Sequence, residues 1–250
     1  MSKKFFSLQF TLLILISLVF IGLCLLGRWQ LARGFEKKTL IQAQNQASQE
    51  PKLNTSDLLS HPIEALRYRP ISLKAHPRLQ HAFLLDNQMY QGRIGYHVLI
   101  PLEINKNKFI FLNVGWVPAS ISRNELPNIA DLLVGKFNPA PINHQITIEG
   151  YVEKGYVNPL ITKTLESEIL GWPLRIQHMD YTLFGQILGG EVLPGIIILE
   201  EPKIPDVFPL PKSQTWLTPE KHFGYAFQWF SLAAALFVMT LLSVRKLRKP

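Results

Sequence analysis

Residues 5–26 read FFSLQFTLLILISLVFIGLCLL, twenty-two positions without a charge, and residues 223–244 read FGYAFQWFSLAAALFVMTLLSV, twenty-two more. A bilayer core takes roughly 20 apolar residues, so either run is long enough to span one. Charged residues make up 18% of the 250 and hydrophobic ones 47%, which excludes an intrinsically disordered chain. The predicted architecture is a membrane protein of α+β class. Transmembrane helices at 5–27 and 222–244 flank a mainly β extracytoplasmic domain over 28–221.

The net charge of +8 does not mark a nucleic-acid binder once its distribution is considered. Residues 39–221 carry 16 basic and 17 acidic side chains. The excess sits at the ends of the two runs, on Lys3, Lys4, Arg28, Arg33, Lys37, Lys38, Arg245, Lys246, Arg248 and Lys249, where lipid headgroups lie. Cys24, inside the first run, is the single cysteine, so an internal disulfide, c-type haem attachment and cysteine-ligated zinc are excluded.

The first run exceeds the ~7 to 15 residues of a signal-peptide core, and no small-residue cleavage site follows it, so it reads as a retained anchor. The short basic tail after Val244 places the C-terminus in the cytoplasm by the positive-inside rule, and two spans bring the N-terminus to the same side. Arg28, Arg33, Lys37 and Lys38 oppose this for the first span alone, but a long translocated loop overrides local charge. The expected location is the bacterial inner membrane, with the central domain periplasmic.

Within that domain, short apolar stretches bounded by Pro, Gly and Asn predict strands at 66–75, 82–86, 96–104, 108–114, 145–152, 174–177 and 196–200, with a hairpin loop at 105–107. Helices are expected at 55–59 and at 179–188, the latter capped by Asp180, and the first span should continue as helix to about Gln46. Five prolines between residues 201 and 220 predict an extended connector.

No common catalytic signature is present, and His61, His76, His81, His97, His144 and His178 are scattered without ligand spacing. An enzyme is not expected; the ordinary reading of these histidines is as surface or hydrogen-bonded core residues. The informative residues lie at the membrane edges. In GRWQLARGFEK, residues 27–37, Trp29, Arg33 and Lys37 recur at helical spacing. In HFGYAFQWF, residues 222–230, His222, Tyr225 or Ala226, and Trp229 share a face, with Gln228 beside them. Polar groups at that depth face another helix or a ligand.

These strings resemble the surfeit locus protein 1 family of cytochrome c oxidase assembly factors. The resemblance rests on Gly27, Trp29, Gln30, Arg33 and Lys37; on Asp86-Asn87, Gly92, Gly95-Tyr96-His97-Val98, Pro101-Leu102, Asn113 and Gly115-Trp116-Val117-Pro118; and on His222, Tyr225-Ala226, Gln228-Trp229-Phe230 and Leu232. Val114 departs from the family, which usually has arginine there, as do Glu220 and Lys221 just before His222. The resemblance implies transient binding of haem a and its insertion into oxidase subunit I, with haem a synthase as a further possible partner.

A flat apolar macrocycle with two propionates wants an apolar wall, cations at one edge and an axial nitrogen. His222 is the candidate iron ligand, Arg28, Arg33 and Lys37 the propionate partners, and Trp29, Tyr225 and Trp229 the wall, with Gln228 alongside. Trp29 and Trp229 equally suit an interfacial aromatic belt, Arg28 and Lys38 headgroup contact, and His222 an interfacial hydrogen-bond donor rather than a ligand. Asn87 and Asn113 are expected as buried hydrogen-bonding residues of the β domain. The alternative function is a scaffold that stabilises an oxidase assembly intermediate without binding haem.

Overall fold

The structure, a computed structural model, describes residues 2–120, 125–129, 133, 145–157, 164, 171–201, 204–210 and 217–247, excepting the side chains of residues 2–9 and 247. His144, Pro202, Pro211, Arg248 and Lys249 therefore lie outside the described residues. Two units separate: one of Gln44–Lys212, the other of the chain ends, Met1–Ala43 with Ser213–Pro250.

The central unit holds β1 (Pro70–Pro77), β2 (Phe83–Tyr90), β3 (Arg93–Asn105), β4 (Lys108–Pro118), β5 (Ile146–Lys154), β6 (Leu174–Ile176) and β7 (Glu191–Leu199). They form one sheet in the order β1-β5-β7-β4-β3-β2-β6. The far end of β1 also meets β3, at His76↔Glu103 and Pro77↔Leu102, so β1, β5, β7, β4 and β3 close into a five-stranded ring with β2 and β6 outside it. Closure covers the edge at β1, and β6 is the remaining edge among the described strands. The β4–β7 and β2–β6 ladders are parallel and the rest antiparallel.

Each predicted strand has a counterpart, but several bounds differ for a physical reason. Residues 66–69 are not strand: Ile63–Leu66 form a 3-10 turn and Tyr68 takes a left-handed φ of 68°. β4 runs on to Pro118 because the ladder bulges at Val114 and Gly115, at φ 134°, absorbs the irregularity. β7 begins at Glu191 despite Pro194 and Gly195, where its ladder to β4 shifts register. Trp116 and Phe208 exchange N–H···O bonds of 2.8 Å each way, so the connector is pinned to β4 rather than simply extended.

β4 is buried on both faces. Ile110, Leu112 and Val114 point into the ring with Val98, Ile100 and Ile148. Phe109 and Phe111 point outward into a second core with Phe83 and Phe184, where Phe83 stacks edge-on against Phe111 at 5.1 Å. Phe184 comes from helix α3 (Tyr181–Leu188), whose first turn is capped as expected: the Leu183 N–H donates to the Asp180 carboxylate at 3.0 Å. The shorter α2 (Thr55–Ser60) is capped by Asn54 in a reciprocal box with Asp57.

The second unit is made by two long apolar helices, α1 (Ser2–Ala47) and α4 (Pro219–Leu247). Both are long and apolar enough to cross a membrane, over Phe10–Ala47 and Pro219–Lys246. Together with the sheet they make this a membrane protein of α+β class, its two spans flanking a mainly β domain in sequence.

Candidate functional site on the paired spans

The two spans pack against each other, antiparallel. Contacts on α1 rise in number as those on α4 fall: Phe20 meets Phe237 with ring centroids 6.1 Å apart, Gly27 lies under Phe230, and Gly34 lies under Phe223. A Cβ at Gly27 would come within 2.8 Å of the Phe230 ring, and one at Gly34 within 2.5 Å of the Phe223 ring. Glycines seven residues apart thus receive phenylalanines seven residues apart, and the buried Ala226 and Ala233 repeat the step. Small residues let membrane helices approach closely, where dispersion contacts hold them.

One polar pair lies in this seam. The Nδ1–H of His222 donates to Oε1 of Gln30 at 2.7 Å, across 192 positions of sequence. The residue is only 7% exposed. Donation from Nδ1 leaves the lone pair on Nε2, which has no hydrogen-bond partner among the described residues.

The other candidate residues distribute unevenly. Trp229 is half-buried on the seam face with His222 and Ala226, whereas Tyr225 points away, 43% exposed. Arg28 and Gln228 are exposed, and Trp29 is 52% exposed. Arg33 is exposed and paired with Glu36 at 2.8 Å, one turn along its own helix. Lys37 is half-buried. Gln30, quoted above only as part of a motif, is the residue that sequence reasoning missed; its position between Gly27 and Gly34 in the seven-residue pattern is the signal that points to it.

The β unit carries a second set of buried polar groups. His97 is 3% exposed, with its ring 5.3 Å from that of Tyr156, and burial pushes its pKa down to about 3. It is therefore a neutral core residue. Asn113 is buried as expected, and its Oδ1 accepts the Gly115 N–H at 3.0 Å, fixing the bulge. Asn87 is not a buried residue: it is exposed in a left-handed turn with φ 58°, which asparagine tolerates. Val114 is fully buried in the ring. Among the described residues no three His, Cys, Asp or Glu side chains converge to hold a metal ion.

The sequence profile of the SURF1 family matches residues 17–234, most of the chain, from within the first span into the second. The chain belongs to the SURF1 family. A SURF1-like protein of Rickettsia bellii (strain RML369-C) is 24% identical over 238 residues, covering 89% of this chain and 86% of the relative. A SURF1-like protein of Dictyostelium discoideum is 25% identical over 258 residues, covering 90% and 93%. SURF1 membership supports a general role in cytochrome oxidase assembly, and the matched span contains both halves of the Gln30–His222 pair.

Proposed function

We propose that this protein is a membrane-bound cytochrome c oxidase assembly factor that holds haem a transiently and offers it for insertion into oxidase subunit I, receiving it by way of haem a synthase. It resides in the bacterial inner membrane with both termini cytoplasmic and the β domain periplasmic, and it acts by binding rather than by catalysis. The reading is carried by one observation: an imidazole inside the seam of two spans whose Nδ1 bonds Gln30 and whose Nε2 has no partner among the described residues.

The residues present fit such a group. A neutral imidazole nitrogen is a good iron ligand, so His222 would hold a haem iron. A single protein ligand would favour release, whereas two would retain the cargo. Arg28 and Arg33 lie within two turns of Gln30 and suit propionate carboxylates. To reach one, Arg33 gives up an exposed ion pair with Glu36, and such i,i+3 pairs contribute only about 0.5 kcal/mol. Trp29, Tyr225 and Trp229 offer flat apolar faces, and the exposed Gln228 neighbours Trp229 in sequence.

The test is haem content. Detergent-purified protein co-expressed with the haem a pathway should carry a haem absorption band, and His222→Ala should lose most of it. Equal absorbance in wild type and variant refutes the assignment of His222.

The outward placement of Arg28, Trp29, Tyr225 and Gln228 favours a second reading, in which these residues contact oxidase subunits and the protein is a haem-free scaffold. That reading expects co-purification with oxidase subunits and no haem band from any preparation.

A further inference from the structure

The seam contains a residue whose chemistry acts on His222 rather than on any ligand. We propose that Gln30 is the positioning residue of this site: its amide oxygen holds His222 in the Nδ1–H tautomer, so that Nε2 is the nitrogen presented for coordination. This rests on the haem-binding reading above and deepens it.

Three observations carry the inference. The Nδ1···Oε1 distance is 2.7 Å, short for an N–H···O hydrogen bond. The ring is nearly buried in an otherwise apolar seam, where losing this acceptor leaves a donor unsatisfied and lets the tautomer drift. Gln30 is itself fixed in rotation, because Gly27 and Gly34 on either side of it are seated under Phe230 and Phe223.

The choice of an amide also has a chemical consequence. Metal-binding histidines generally donate their second N–H to an oxygen, and the charge on that oxygen sets how strongly the ring donates to the metal. A carboxylate acceptor draws the proton and strengthens the ligand. A neutral amide orients the ring without doing so, and this suits a cofactor that must leave.

The decisive measurement does not require haem. Nitrogen-15 NMR of the full-length, haem-free protein in detergent, labelled at histidine, should report His222 as the neutral Nδ1–H tautomer. Gln30→Leu should shift it toward Nε2–H or a mixture, and should lower haem a occupancy after co-expression by about tenfold or more. Gln30→Glu should keep the Nδ1–H signature, restore occupancy to at least the wild-type level and move the bound haem to a lower reduction potential, a change that a merely structural contact would not produce.

His222 in the Nε2–H form in the wild type overturns the inference. So does an unchanged tautomer with unchanged occupancy in Gln30→Leu. If Gln30→Leu fails to fold, Gln30→Glu decides the matter, since an unaltered reduction potential in that variant also overturns it. A wild type that never takes up haem sinks the haem-binding reading, while the tautomer spectrum still decides whether Gln30 orients the ring.

Discussion

His97 and Tyr181 show what single residues contribute to this molecule. Burial holds the His97 pKa at about 3 against 6.5 for a free histidine, so between those values the unfolded chain takes up a proton that the folded chain refuses. The stability that neutral His97 allows is complete above pH 6.5 and declines by up to about 1.4 kcal/mol per pH unit on acidification below it. Urea midpoints of full-length protein should accordingly fall more steeply from pH 6.5 to 4.5 in the wild type than in His97→Phe; parallel slopes would contradict this. Tyr181 lies in a hydroxyl-sized gap left by glycine, for a Cβ at Gly155 would sit 1.4 Å from the Tyr181 oxygen. Burial pushes the Tyr181 pKa up, so the phenol stays protonated. Gly155→Ala should displace that ring and lower stability by about 1–3 kcal/mol, read as a reduced melting temperature.

Whole elements were legible in the sequence wherever a local rule governs them. The Asp180 cap, the 105–107 hairpin and seven apolar stretches gave the helices and strands their places, because capping, turn chemistry and patterning act over a few residues. Strand ends were not legible where Gly115, or Pro194 and Gly195, lie inside a ladder; bulges and register shifts accommodate residues that normally end strands. Gly115→Ala tests one such accommodation. A Cβ there would come within 2.6 Å of the Phe208 carbonyl oxygen, at a φ that side chains rarely adopt. The variant should break the Trp116–Phe208 bridge and speed hydrogen exchange at both amides. For the spans, Gly34→Leu should push α1 off Phe223 and destabilise the pair by about 1–3 kcal/mol, and Phe223→Ala should restore part of the loss in the double variant. Strictly additive effects would show that the two residues are not in contact.

At the scale of the molecule, the sequence announced two anchors and a β domain but not how either is closed. Ring closure depends on His76 and Pro77 meeting Glu103 and Leu102, a pairing between distant positions that no local pattern encodes. Of the candidate site, His222 and Trp229 could be read from their spacing, while Gln30 became visible only when the seven-residue steps of two helices were superposed. Antiparallel spans place the two chain ends on one side of a bilayer, so reporter fusions at residue 1 and residue 250 should report the same side; opposite signals would exclude the paired arrangement. The Gln30–His222 bond joins the first helix to the last across 192 intervening residues. Synthesis must therefore proceed through the last of these helices before the imidazole acquires its acceptor. A product that stops after the first span and before the final helix keeps Gln30 but lacks His222, so it cannot form the pair.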